Sequence, residues 1–204
     1  KKNTHSTIIN PAIDTNIFNI KYEKLNNIKN KKLKILTVAR LHWKKGLDYT
    51  LEALGILNDR KIPFEYFLIG EGNSREQLLY TIDNLGLKEK VHLLGAIQHN
   101  QIKKYYLNSH IYLQFSIQEG FCNSVLEAQA MGLLTFVSNA EGLSENVINE
   151  KTGWVVPKRK PEILARKIIS VINSDEDNLN KIRLNAMIRV KEKFNLVNHS
   201  KQYD

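Results

Sequence analysis

The sequence predicts an α/β fold in which one parallel sheet carries helices on both faces, and three observations lead there. Five short runs, Lys34 to Ala39, Phe64 to Ile69, Val91 to Leu94, Ile111 to Phe115 and Leu133 to Val137, are almost continuously apolar, as strands buried on both faces are. Stretches with helical period separate them, so strand and helix alternate as βα units. The chain has 204 residues and 42% hydrophobic content, enough to bury a sizeable core. Together these give a Rossmann-like, doubly wound parallel sheet.

Taken in order, Thr7 to Asp14 holds a short apolar strand broken by Pro11, and Asp14 to Asn30 is polar and rich in Asn and Lys. Residues 1–30 therefore read as a linker or domain edge. Lys34 to Ala39 is the first buried strand. From Gly46 onward Leu47, Leu51, Leu54 and Leu57 share one helical face, with Asp48, Glu52 and Asp59 off it. Phe64 to Ile69 ends in Gly70-Glu-Gly72. A helix over Asn73 to Leu85 follows, with Ser74-x-x-Gln77 matching a capping box and Gly86 closing it. Val91 to Leu94 ends at Gly95, and Asn100 to Asn108 is helical. Ile111 to Phe115 is a strand, Val125 to Met131 a helix and Leu133 to Val137 a strand. The later elements are smaller: one or two helical turns in Glu141 to Asn149, a short strand in Gly153 to Val156, and a helix opened by Pro161 and reaching Ile172. Ile182, Ala186, Val190 and Phe194 are spaced by four in a last helix from about Asn178. Residues 31–175 then form the sheet domain, and 176–204 a helix that packs back on it, with a tail.

A net charge of +9 implies anionic partners. Between Lys21 and Lys45 stand nine basic residues and one acid, Glu23. Phosphate-bearing small molecules, nucleic acid and anionic headgroups all qualify. The single cysteine, Cys122, excludes an internal disulfide and a cysteine metal cluster. No run approaches the roughly 18 apolar residues of a membrane span, and the first residues lack the apolar core of a signal peptide. A cytoplasmic protein is expected, with basic surface suited to peripheral contact at the inner face of the membrane.

Ligands of open parallel sheets bind beyond the C-terminal ends of the strands. After the first strand comes Arg40-Leu-His-Trp-Lys-Lys-Gly46, where Arg40 offers a two-pronged contact and Lys45 a mobile charge to a diphosphate. After the fourth comes Glu119-Gly-Phe-Cys-Asn-Ser-Val-Leu-Glu127, a strand-to-helix crossing with a glycine at its turn. Free amides and about half a positive charge at the helix N-terminus suit a phosphate there. Glu119 and Glu127 suit neutral sugar hydroxyls, which they can accept from. Ser124-x-x-Glu127 also satisfies a capping box that needs no ligand. Gly70-Glu-Gly72 and Gly95-Ala-Ile97 are close-approach loops without a GxGxxG pattern. Asp175-Glu-Asp177 lies between the last two helices and reads as solvated loop and cap. The six histidines have no metal-ligand spacing, and only His42 adjoins the proposed site. Cys122 has no partner base in sequence, and Asn198-His-Ser200 is a sequon that a cytoplasmic chain leaves unused.

The ordered set Val38-Ala-Arg-Leu-x-x-x-Lys-Gly46, Leu68-Ile-Gly-Glu-Gly72, Val91-x-Leu-Leu-Gly95, Glu119-Gly-Phe to Glu127, Glu141-Gly-Leu-x-Glu145 and Gly153-Trp-Val-Val156 resembles the C-terminal, nucleotide-sugar-binding domain of family 4 retaining glycosyltransferases, which have the GT-B fold. The resemblance covers nearly the whole chain. It implies that Arg40 and Lys45 bind the donor diphosphate, that Glu127 holds the ribose hydroxyls, and that Glu119 sits against the transferred sugar. Gly120 and the amides of Phe121, Cys122, Asn123 and Ser124 would complete the cradle. Ile97, two residues past Gly95, matches the position whose backbone contacts the base. Cys122 departs from the glycine or small residue that many members carry. Asn10-Pro-Ala-Ile-Asp14 resembles an interdomain Asn-Gly-Val-Asp, so the acceptor-binding N-terminal domain is expected to precede this chain, which alone would be inactive.

The implied function is retaining transfer of a sugar from a nucleoside diphosphate sugar to a glycan or lipid-linked acceptor in cell-surface polysaccharide synthesis. No metal and no cofactor beyond the donor are implied. Since no motif places a nucleophile, front-face displacement is expected. A nucleotide-sugar epimerase of the same fold would act on free donor, and a nucleic-acid module using Lys21 to Lys45 would show steeply salt-dependent binding.

Overall fold

The computed structural model describes residues 11–21, 25, 27–29 and 31–196. The strand read at Thr7 to Ile9, His5, His199 and the Asn198 sequon lie outside them. Six strands form one sheet: β1 (Leu33–Val38), β2 (Phe64–Ile69), β3 (Val91–Gly95), β4 (Ile111–Gln114), β5 (Leu134–Ser138) and β6 (Trp154–Val156). All pairings are parallel, in the order β3-β2-β1-β4-β5-β6. Seven helices connect and flank them: α1 (Leu47–Asp59), α2 (Arg75–Asn84), α3 (His99–Leu107), α4 (Asn123–Ala130), α5 (Leu143–Asn146), α6 (Pro161–Ile172) and α7 (Glu176–Lys193).

Successive strand residues point to opposite faces, so the sheet has two cores. Leu33, Ile35, Leu134 and Phe136 pack with α1, α2 and α6, including Leu51, Leu54 and Leu57 from the leucine stripe read in the sequence. Leu36 and Val137 pack with α3, α4, α5 and the end of α7. Burying each such aliphatic side chain contributes about 1.5–3 kcal/mol. The expected doubly wound, Rossmann-like fold is thus found.

Several local expectations change. Ser74 precedes α2 but makes no side-chain capping bond, its backbone (φ −86°, ψ 4°) lying outside the extended form a cap takes, and Gln77 donates to Asp48 Oδ2 (3.1 Å). The last helix starts at Glu176, two residues earlier than read, since Asp175 accepts from the amides of Asp177 and Asn178 and caps it. The segment 11–21, within the stretch read as linker or domain edge, packs on the domain. Ile13 pairs with Asn195, and the buried Phe18 sets its ring against His99 and Tyr106. The apolar residues of this segment find a surface between α3 and α7 that the polar composition around them concealed.

One buried histidine ties the first strand to the fourth. The Lys34 amide donates to His110 Nδ1 (2.9 Å), which requires an unprotonated Nδ1. Burial, with Lys31 and Lys34 nearby, lowers the His110 pKa from 6.5 to about 4. As pH falls the unfolded chain takes up this proton first, so the stability contribution is lost between pH 6.5 and about 4. Urea midpoints over that range should therefore fall further for the wild type than for His110→Gln. Parallel curves would refute the assignment.

Candidate functional site

The strand order reverses between β1 and β4, and there the connections leave toward opposite faces and open a crevice. A cleft of about 620 Å³ lies at the C-terminal edge of the sheet. The loop after β1 contributes Arg40, His42, Lys44 and Lys45, and the loop after β2 contributes Glu71, Gly72 and Asn73. Gln118, Glu119 and Gly120 come from the loop after β4, and Glu141 from the loop after β5.

Three close contacts hold these loops together. Gly46, at φ 58°, caps the short 3-10 turn Trp43–Lys45, and a Cβ there would stand 2.2 Å from the Phe115 carbonyl oxygen. The Lys44 carbonyl accepts from the amides of Ile117 (2.7 Å) and Gln118 (3.2 Å). The Gly142 amide donates to the Glu119 carbonyl (3.0 Å), joining the loop after β5.

This packing sets Lys45 Nζ 2.5 Å from Glu119 Oε2, with side chains only 17% and 12% exposed. The same oxygen accepts from Ser116 Oγ (3.1 Å) and Gln114 Nε2 (3.3 Å), so the carboxylate is oriented from the end of β4. Arg40 is exposed on the cleft wall and makes no ion pair among the described residues. The cleft thus offers a guanidinium with no ion pair among the described residues, an ammonium shared with a carboxylate, and two further carboxylates, Glu71 and Glu141. Such a set suits a ligand carrying both phosphate and hydroxyl groups.

The crossing into α4 differs from the capping box. Cys122 is the cap residue and makes no side-chain cap bond, and Ser124 lies one step inside the helix. Its hydroxyl accepts from Tyr112 (2.7 Å) and donates to the Val38 carbonyl (3.2 Å), fastening α4 to β1. Glu127 does not reach back to Ser124 but to α3. Asn146 holds Cys122 on both sides, accepting from its amide (3.0 Å) and donating to its carbonyl (3.2 Å). The Cys122 amide is therefore engaged within the protein and the Val125 amide donates to the Cys122 carbonyl (3.2 Å), which leaves the first-turn amides of Asn123 and Ser124 without an intrahelical acceptor. Burial above all, then the Glu119 charge, pushes the Cys122 thiol up, which keeps it protonated and un-nucleophilic.

The remaining predicted residues lie beside the cleft rather than in its wall. Glu127 is 7% exposed. Tyr106 donates to its Oε2 and His99 Nε2 meets its Oε1, each at 2.9 Å. Burial, followed by the neighbouring Tyr112 and Glu127, raises the Tyr106 pKa, so the phenol remains a donor. Gly95 ends β3 and Ile97 lies in the loop after it, which leans on the cleft through Glu71 Oε1 and the Ala96 amide (3.3 Å). His99 carries no signal of its role in the sequence, since its partner Glu127 stands 28 residues away. Glu71 and Glu141 were not named as site residues, although each stands in a quoted motif, Gly-Glu-Gly and Glu-Gly-Leu-x-Glu. Among the described residues no group of three or more His, Cys, Asp or Glu is placed to hold a metal ion, and no helix is long and apolar enough to cross a membrane.

An open parallel α/β domain with a cationic, carboxylate-lined cleft at its switch point is the class that fold and site define. Within that class, the chain belongs to the family Glycosyl transferases group 1, which residues 19–188 match. It is 32% identical over 190 residues to the amylovoran biosynthesis glycosyltransferase AmsK of Erwinia amylovora, covering 90% of this chain and 46% of that protein. The chain therefore spans about half the length of the curated relatives it matches. Among solved structures, the C-terminal domain of a glycosyl transferase group 1 protein from Francisella tularensis superposes with a TM-score of 0.76 at 23% identity, covering 90% of this chain and 99% of that one. Anabaena HepE, solved in complex with UDP and glucose, gives a TM-score of 0.83 at 22% identity, covering 97% of this chain and 55% of that one. The fold is accordingly that of the C-terminal half of a GT-B glycosyltransferase, as the motif resemblance anticipated.

Proposed function

We propose that this chain is the donor-binding half of a retaining glycosyltransferase, which passes a sugar from a nucleoside diphosphate sugar to a glycan or lipid-linked acceptor in polysaccharide synthesis. The observation that carries the reading is the Lys45–Glu119 pair beside Arg40, which has no ion-pair partner among the described residues, all at the switch-point cleft. Arg40, Lys45 and the first-turn amides of α4 would stabilise the charge that develops on the departing diphosphate, and Glu119 would orient the sugar. Preorganised donors aimed at developing charge usually give the largest catalytic term. Ala96 and Ile97 would meet the base, and Glu127 the ribose. Amylovoran, colanic acid and capsular biosynthesis enzymes among the relatives support the polysaccharide setting. HepE structures with UDP and UDP-glucose support the donor class.

Calorimetric titration of the chain with UDP, GDP, ADP and CDP tests the donor site directly. Saturable binding of at least one is expected; binding of none would sink the reading.

Glu119 competes with the diphosphate for Lys45. Glu119→Gln should therefore tighten nucleoside diphosphate binding about three- to tenfold, since a charge-assisted contact contributes about 1.5–3 kcal/mol and only part of it is released. Calorimetry at low salt measures this. Weaker binding in that variant would show that Glu119 serves the diphosphate rather than competing with it.

A further inference from the structure

We infer that His99 is a positioning residue which, with Tyr106, clamps the Glu127 carboxylate in the orientation that a vicinal diol requires, so that the site prefers ribose to its deoxy forms. This rests on the donor-site reading above and goes beyond it in naming what aligns the carboxylate.

A carboxylate has two oxygens, each with two lone pairs, and can accept two hydrogen bonds on each. In Glu127 each oxygen takes one protein contact: Tyr106 donates to Oε2, and His99 Nε2 stands at Oε1, both 2.9 Å away. Two donors on different oxygens fix the plane of the group. One lone pair per oxygen is left over. Two adjacent hydroxyls on one furanose ring need that arrangement, one oxygen for each.

The clamp is itself braced. Phe18, 1% exposed, packs edge-on against His99 at 5.1 Å and against Tyr106 at 5.8 Å between ring centroids. Both donors therefore share one buried apolar support. Tyr106 is completely buried, whereas the His99 side chain is 63% exposed. Apart from the Phe18 ring, a histidine of this exposure has little packing to contribute, and its side-chain polar contact among the described residues is directed at Glu127. His99 also opens α3, two residues past Ile97 on the loop assigned to the base, so it lies on the nucleoside side of Glu127.

The test uses whichever diphosphate of the UDP, GDP, ADP and CDP panel binds best, and its 2′,3′-dideoxy form. The wild type is expected to favour the ribose form at least tenfold. His99→Ala should lose about tenfold in affinity for the ribose form and almost nothing for the dideoxy form. His99→Gln, whose amide can donate at similar reach, should recover most of that loss. Thermal midpoints should stay within a degree or two, because the replaced side chain is mostly in solvent. Equal losses for both forms in His99→Ala would make His99 merely structural and overturn the clamp. An undiminished ribose preference, or tighter binding of the ribose form, would overturn it as well. Equal binding of the two forms by the wild type would remove Glu127 from the ribose and the clamp with it, while leaving the diphosphate site standing. If no diphosphate binds the wild type, the donor-site reading fails first.

Discussion

The double variant Arg40→Ala/Lys45→Ala should bind nucleoside diphosphates about a hundred- to ten-thousandfold more weakly than the wild type. Each residue supplies a charge-assisted hydrogen bond of about 1.5–3 kcal/mol, and each 1.4 kcal/mol is about a factor of ten. The two single variants should differ in how they can be rescued. Arg40 has no ion-pair partner among the described residues, so Arg40→Ala removes attraction alone. Lys45→Ala also leaves Glu119 in the cleft without its 2.5 Å partner, and that uncompensated carboxylate repels the incoming diphosphate. Adding Glu119→Gln to Lys45→Ala should therefore recover part of the loss by removing that repulsion, whereas adding it to Arg40→Ala should give only the gain expected from freeing Lys45. Calorimetry of the five variants and the wild type at low and high salt measures both effects, and raising salt should shrink the differences as the charges are screened. Unchanged affinity in the double variant would place the diphosphate elsewhere.

Most of the sheet was legible because buried parallel strands are nearly continuous apolar runs, and Lys34 to Ala39 or Ile111 to Phe115 have no other comfortable fate. The strand order was not. Nothing in a strand's own sequence states its neighbours, so the reversal between β1 and β4 emerged only from the pairing. Arg40, Lys45 and Glu119, named from motif order, nevertheless line one cleft. What it misjudged were side chains whose partners are far along the chain. Ser124-x-x-Glu127 fits a local capping rule, yet Ser124 turns to Val38 and Tyr112, and Glu127 to His99 and Tyr106, partners brought up by the packing of α4 against β1 and α3. Asn146 was silent in sequence for the same reason: its amide acts on Cys122, 24 residues away. The concern raised by Cys122 narrows accordingly. Its amide belongs to Asn146, its thiol is buried and meets Ser124 Oγ at 3.2 Å, and the phosphate cradle is left to the amides after it.

Gly46→Ala should destabilise the protein by about 2–5 kcal/mol, and Gly86→Ala separates the two causes. Both glycines adopt left-handed backbone, φ 58° and 63°, which costs an alanine about 1–2 kcal/mol. At Gly86 a Cβ meets nothing within 4 Å, so that variant reports the backbone term alone. At Gly46 the Cβ would lie 2.2 Å from the Phe115 carbonyl oxygen, a backbone atom that cannot swing aside. Relief requires the loop after β1 to part from the end of β4, a displacement of the kind that costs a further 1–3 kcal/mol or so. Urea midpoints should show the Gly46 variant losing at least twice as much as the Gly86 variant. The consequence for function follows from the same contact. Parting these loops pulls the Lys44 carbonyl from the Ile117 and Gln118 amides and Lys45 from Glu119, so the surviving folded protein should bind nucleoside diphosphate more weakly. Gly86→Ala, at the far end of α2, should leave affinity unchanged. A Gly46→Ala protein with wild-type affinity would show that the cleft does not depend on this seam, and would shift the positioning of Lys45 onto the Glu119 side of the pair.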